Sequence, residues 1–268
     1  LDNLTTEIAA FGNFPSLFMG LVGKRDEWEH YGGHIRFTDS QGNIVADNLS
    51  EDNYRDYIGE SVEKWSYLKF PYYKPLGYPN GIYRVGPLAR LNVCSHFGTE
   101  AADIELREYR HRVGGVATSS FYYHYARLVE ILGCLERIEL LIDDPDIVSQ
   151  RCRAEAGINN LQGVGVSEAP RGTLFHDYKV DENGLIETVN LIIATGNNNL
   201  AMNQTVKQIA QHYIHGGEIP EAMLNRVEAG IRCYDPCLSC STHAMGQMPL
   251  QLELVNAAGE VINTRQRG

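Results

Sequence analysis

No stretch of this 268-residue chain approaches the roughly 18 to 20 uninterrupted apolar residues that a helix needs to cross a bilayer; the best runs are short, such as Ile138 to Ile142. A membrane span is excluded. Positive charge is scarce: 23 Lys and Arg stand against 34 Asp and Glu, for a formal net charge of -11. The acidic residues are spread along the chain rather than gathered in a tail, which does not suit a polyanionic partner such as nucleic acid. Six cysteines are too few for a disulfide scaffold, and Cys233, Cys237 and Cys240 crowd into one short segment. That crowding points to metal or redox chemistry in a reducing compartment, so a cytoplasmic location is expected. There is no internal repeat, no low-complexity tract and no basic-then-apolar leader. The chain opens on Leu1 rather than methionine, and an upstream portion is expected. What is present is a globular composition, 43% hydrophobic and 21% charged, with enough length for a sizeable core.

The pattern along the chain predicts a mainly α fold, a multihelical bundle with small antiparallel β-hairpins (α+β in detail). Alternation over Trp28 to Val45 around Asp39 to Gly42 predicts a hairpin. Ser50 followed by Glu51 and Asp52 predicts a short helix to about Gly59, and the prolines of Phe70 to Pro87 predict an irregular crossing. Helical spacing runs over Ala101 to Val113 and Ser119 to Ile142, with Leu128, Ile131, Leu132, Leu135, Ile138 and Leu141 as the apolar set; Pro145 stops the second helix. Gly157 to Gly172 reads as a Gly-rich loop. A second hairpin is predicted for Thr173 to Lys179 with Leu185 to Ile193, helices for Asn203 to Tyr213 and Pro220 to Ile231, and a third hairpin for Leu250 to Ile262.

The densest chemistry is Cys233-Tyr-Asp-Pro-Cys237-Leu-Ser-Cys240-Ser-Thr-His243. Thiolates select soft or borderline metals, and the two-residue gap between Cys237 and Cys240 lets both sulfurs face one ion from a turn. Structural zinc, a three-cysteine iron-sulfur nest, a redox dithiol and inert buried cysteine compete on spacing alone. A second cluster, Gly163-Val-Gly165-Val-Ser-Glu168-Ala-Pro-Arg171-Gly-Thr-Leu-Phe-His176, lacks the following helix and the Lys-Ser or Lys-Thr pair of a phosphate loop. Its stiff Pro-Gly segment instead holds Glu168, Arg171 and His176 close together, and a fixed guanidinium beside a metal is a plausible electrostatic or proton-handling element.

Glu168-Ala-Pro-Arg-Gly172 with His176, followed by Asp235-Pro-Cys-Leu-Ser-Cys-Ser-Thr-His243, resembles the C-terminal signatures of the large subunit of nickel-iron hydrogenases. Leu174-Phe-His-Asp-Tyr178 and Asn198-Asn-Leu-Ala-Met202 look most like the cytoplasmic bidirectional, NAD-linked group. The resemblance implies reversible oxidation of H2 to protons and electrons. It implies that Cys237 is a terminal nickel ligand, that Cys240 bridges nickel and an iron carrying carbon monoxide and cyanide, and that His243 approaches a magnesium site. Arg171 would hang over the metals with Asp235 as its partner, Ala169 and Pro170 would pack around the diatomic ligands, the Thr195 hydroxyl would bond a cyanide, and His176 would orient groups around the cysteines. Arg171 and Cys237 are the candidates to take the proton.

The resemblance also implies what lies elsewhere. Partners would be an iron-sulfur small subunit, an NAD-linked diaphorase module carrying NAD and further clusters, and a maturation endopeptidase. The family's N-terminal Cys-x-x-Cys pair is not in this sequence, and Cys94, Cys134 and Cys152 are single. Residues 1–243 are therefore expected to be the C-terminal portion of a larger domain, inactive alone, and 244–268 a propeptide-like extension. The competing reading is a non-catalytic zinc or iron-sulfur module using Cys233, Cys237, Cys240 and His243.

Overall fold

The computed structural model describes residues 5–153, 157, 160–214, 217–237 and 250–267. After a short helix α1 (Thr5–Ala10), strand β1 (Leu17–Val22) runs through the middle of the molecule, buried along its whole length. It pairs antiparallel with β2 (His34–Thr38), and β2 pairs antiparallel with β3 (Ile44–Leu49). The β2–β3 reversal is fixed by Asp39, whose Oδ1 accepts from the N–H groups of Gln41 and Asn43, both at 2.9 Å. On its other side β1 pairs parallel with the two-residue strand β6 (Tyr83–Arg84), completing a sheet of order β3-β2-β1-β6. Between β3 and β6 lie a short helix α2 (Tyr54–Tyr57) and a hairpin of β4 (Ile58–Val62) and β5 (Lys69–Tyr73). Ser50 caps the 3-10 turn that leads into α2, its side chain accepting from the Asp52 N–H at 3.3 Å.

Strand alternation explains why β1 is buried on both faces. Phe18 and Val22 face a helical core, while Leu17, Met19 and Leu21 face a second core that includes Phe37, Tyr57, Tyr83 and Phe175. The helical core is built by α3 (Pro87–Val93), α4 (Glu100–Val113), α5 (Tyr122–Ile142), α7 (Asn199–Tyr213) and α8 (Glu221–Cys233). The second core is closed by an antiparallel sheet of β7 (Gln162–Ala169), β8 (Gly172–Val180) and β9 (Ile186–Ile192), followed by the one-turn helix α6 (Ala194–Asn197). The described chain ends in a hairpin of β10 (Leu250–Val255) and β11 (Val261–Arg267).

The architecture is α+β, the form the expectation took in detail, while its mainly α wording undercounts the strands. The undercount has two sources. Leu17–Val22 is apolar on both faces and carries no alternation to betray a strand. The Gly-rich stretch expected to be a loop contains β7, an edge strand in which Gly163 and Gly165 have no other atom within 4 Å of where a Cβ would stand. The apolar set whose spacing predicts α5 is not the face that the helix buries. The helix buries Tyr123, Ala126, Val129, Glu130 and Gly133, whereas Leu128, Ile131, Leu135, Ile138 and Leu141 are exposed. Gly133 decides which face turns inward, since a Cβ there would lie 2.6 Å from Phe97 Cδ1.

Candidate metal-site corner

Strands β7 and β8 are joined by a two-residue turn, Pro170-Arg171, between the paired residues Ala169 and Gly172. Such a tight reversal needs a permissive residue, and Gly172 supplies it with φ at 139°. The turn is pressed against the start of α3: a Cβ on Gly86 would stand 2.8 Å from the Arg171 carbonyl oxygen, and one on Gly172 would stand 2.2 Å from Val85 Cγ2. Arg171 is thus presented at a fixed place on the rim of the second core.

A second segment returns to the same place. After α8 the backbone turns at Asp235, whose φ is 50°. The Arg171 Nε–H donates to the Asp235 carbonyl oxygen, and the same nitrogen lies 3.2 Å from Asp235 Oδ2. Both side chains remain substantially exposed, so this pair orients the guanidinium more than it stabilises the fold. Two residues on, the Cys237 N–H donates to Thr195 Oγ1 at 3.1 Å. Thr195 sits buried on α6, and a hydroxyl that accepts one bond keeps its own proton to donate.

Of the residues singled out in the sequence, Arg171, Asp235, Thr195 and Cys237 are therefore brought together, with Ala169 and Pro170 in the turn beneath them. His176 is placed away from this corner, four residues along β8, where its Nδ1 is 3.3 Å from the Tyr178 hydroxyl. Cys240 and His243 lie outside the described residues. Cys233 is separated from Cys237 by the chain reversal. It is a free, fully buried thiol at the end of α8, with Sγ 3.2 Å from the Ala229 carbonyl, and belongs to the helical core. That placement counts against a three-cysteine module.

The sequence reading missed the residues beneath the turn. Arg90 of α3 is fully buried and uses all five of its N–H groups. Nε and Nη2 grip Glu130 of α5 at 2.5 and 2.7 Å, Nη1 reaches Glu168 at 2.7 Å, and Nη1 and Nη2 donate to the carbonyls of Ala169 and Pro170 at 2.9 and 3.3 Å. Glu168 also accepts from the Leu21 N–H at 2.9 Å and the Thr173 hydroxyl at 2.7 Å. Burial pushes its carboxyl above the usual range, opposed by the Arg90 guanidinium. A signal for Arg90 did exist: a single charge inside the apolar run Leu88 to Leu91 must find a buried counter-charge or stay unsatisfied.

For a metal centre, these residues fit one wall. They supply one cysteine, an ordered guanidinium, a buried hydroxyl and a stiff turn. Among the described residues no three His, Cys, Asp or Glu side chains cluster to hold an ion, and Cys237 is disulfide-bonded, so its sulfur becomes a ligand only on reduction.

A family described as "Nickel-dependent hydrogenase" matches residues 25–243. The chain is 43% identical over 265 residues to the beta subunit of the NAD-reducing hydrogenase HoxS of Cupriavidus necator, covering 97% of this chain and 54% of that one. It is 41% identical over 260 residues to one subunit of the F420-non-reducing hydrogenase of Methanothermobacter thermautotrophicus, covering 95% and 54%. A solved NAD+-reducing NiFe-hydrogenase in the H2-reduced state superposes with a TM-score of 0.85 at 41% identity, over 90% of this chain and 54% of that chain. The chain thus spans about half the length of the relatives it matches.

Proposed function

The chain belongs to the nickel-dependent hydrogenase family, and from that premise we propose that it contributes one half of a nickel-iron active site that interconverts H2 with protons and electrons. The observation that carries this is the convergence of Arg171, Asp235, Thr195 and Cys237, from three separate segments, on one corner. When bound, the metal pair would supply Lewis acidity and a place for two electrons. Cys237 and Cys240 would hold it, with His243 toward a magnesium ion. The remaining thiolates would come from the half of the relatives' length that this chain does not span.

The chain's own residues account for the proton side. Heterolytic cleavage of H2 needs a base beside the metals. A guanidinium stays protonated, which leaves the reduced Cys237 sulfur to take the proton. Arg171, fixed by Asp235, keeps a positive charge over the corner without being consumed. Thr195 holds the Cys237 backbone and keeps its hydroxyl proton, which would go to a cyanide of the iron, while Ala169 and Pro170 would wall that side. Electrons would leave through an iron-sulfur small subunit. Coupling to NAD rests on the likeness to the NAD-reducing HoxS protein; the diaphorase module and the cytoplasmic location rest on the motif resemblance alone. The F420-non-reducing relative is nearly as similar. The zinc or iron-sulfur module is not favoured, because Cys233 is committed to the core.

Arg171→Lys in the assembled enzyme tests the reading. Lysine keeps the charge but loses the planar fork that Asp235 holds. Nickel and iron should be retained while H2-dependent dye reduction falls by at least about tenfold, or roughly 1.4 kcal/mol of transition-state stabilisation. Unchanged turnover would return Arg171 to the status of a surface residue.

A further inference from the structure

We propose that Arg90, whose hydrogen bonds among the described residues reach the turn's backbone and two carboxylates, is the positioning residue that sets where Arg171 stands. The proposal rests on the catalytic role of Arg171 proposed above. Its warrant is the donor count. A guanidinium has five N–H groups, and here each has one acceptor: two go to Glu130, one to Glu168, and two to the carbonyls of Ala169 and Pro170. The last two are the peptide oxygens immediately before Arg171. The turn therefore does not rest on strand pairing alone. It is fastened to α3 by Arg90, through Arg90 to α5 at Glu130, and through Glu168 to β1 at the Leu21 N–H.

The carboxylates have a different task from the carbonyls. Arg90 and Glu168 are essentially inaccessible and Glu130 nearly so, and a charge buried without a partner is costly. Glu130, itself tied to the Trp28 indole N–H at 2.9 Å, holds the guanidinium plane by a bidentate grip. Once that plane is fixed, one of the three remaining N–H groups meets Glu168 and the other two point at the turn. Lysine has three donors on one atom and cannot satisfy both carboxylates and both carbonyls. In Arg90→Lys the turn carbonyls should be the ones released, because the carboxylates compete more strongly for the charge.

The test compares Arg90→Lys, Arg171→Lys and the double variant in the assembled enzyme. It measures turnover, nickel content and amide hydrogen exchange of the peptide spanning 166–174. Arg90→Lys should retain nickel, lose about as much turnover as Arg171→Lys, and speed exchange in that peptide by about tenfold, since local opening alone controls it. If Arg90 acts through Arg171, the double variant should be no slower than Arg171→Lys alone. Additive losses, or unchanged exchange in the turn, would overturn the proposal. Where Arg90→Lys does not accumulate, Arg90→Met with Glu130→Leu and Glu168→Gln removes the buried charges together, a change of the kind stable proteins often tolerate. The turn should be equally loose in that variant, and a protected turn there also overturns the proposal. Should Arg171→Lys itself prove silent, the catalytic reading of Arg171 fails, while the exchange measurement still decides what Arg90 holds.

Discussion

At the scale of single residues, six cysteines divide by environment. Burial pushes the thiols of Cys94 and Cys233 up to about 12, so both stay protonated and unreactive at neutral pH. Cys152 is exposed. Mild alkylation of the native, non-reduced chain should therefore label Cys152 and spare Cys94 and Cys233, read by peptide mass. In the assembled enzyme Cys233→Ser should keep its nickel and Cys237→Ser should lose it; equal loss in both would revive the three-thiol module. Spacing alone could not separate these thiols, because Cys233 and Cys237 are four residues apart and the reversal at Asp235 that parts them depends on a positive φ. Arg171, Asp235 and Cys237 were legible because they fall in two compact motifs. Arg90 carried a local signal in its apolar run, but its partner Glu130 did not, since the pairing spans 40 residues.

Elements were legible where one face met water. Helices α4, α7 and α8 and the β2–β3, β8–β9 and β10–β11 hairpins follow from periodicity and turn residues within a few positions. Strand β1, buried on both sides, and helix α3, a seven-residue helix opened by Pro87, gave no such contrast. On α5 the helix was legible but its inward face was not, because small residues, Ala126 and Gly133, mark the packed side and the larger aliphatics lie outside. The start of α4 shows a device that no local pattern encodes. Thr99, its N-cap, makes no side-chain cap bond; instead Glu136 of α5 accepts from the N–H groups of Ala101 and Ala102 at 2.8 and 2.9 Å. These bonds, outweighing desolvation, hold the Glu136 carboxyl below its ordinary 4.5. A lowered folded pKa means stability that is present above the unfolded value and lost as pH falls through the folded one. Glu136→Ala should cost about 1 kcal/mol at pH 7, as capping losses do. The difference from wild type should shrink below about pH 4 as the carboxyl is neutralised. Denaturant titrations at both pH values measure it, and a penalty that does not depend on pH would assign Glu136 to packing instead.

On the scale of the whole molecule, two features stand out, one inside the family match and one beyond it. One is the exposed apolar face of α5, from Leu128 to Leu141, in a chain that spans about half the length of its relatives. A patch of that kind needs a cover, and its outer end already forms an apolar hollow of about 510 Å³ with Tyr31 and Arg137. The other is the C-terminal hairpin. The family match stops at His243, and β10–β11 lies wholly beyond it. The hairpin is held at the connection between α7 and α8: Arg265 Nε donates to the Ile219 carbonyl at 3.1 Å and Asn263 Nδ2 to the Gly217 carbonyl at 3.2 Å, with Leu252 and Leu254 packed on the helical core. Among the described residues, two side-chain hydrogen bonds, each worth about 1 kcal/mol net, and a partly buried leucine pair are a light attachment for a whole hairpin. Its loss would leave both cores intact. It follows Cys240 and His243 in the sequence, so its removal would leave a chain ending at His243, and closing of ligands on a metal is commonly coupled to folding. Maturation should accordingly cut between His243 and Ala244, after nickel is loaded. Intact mass of active enzyme should show a chain ending at His243, and nickel-starved cells should accumulate the longer form. Full activity in a chain that still ends at Gly268 would overturn this reading of residues 244–268 as a propeptide.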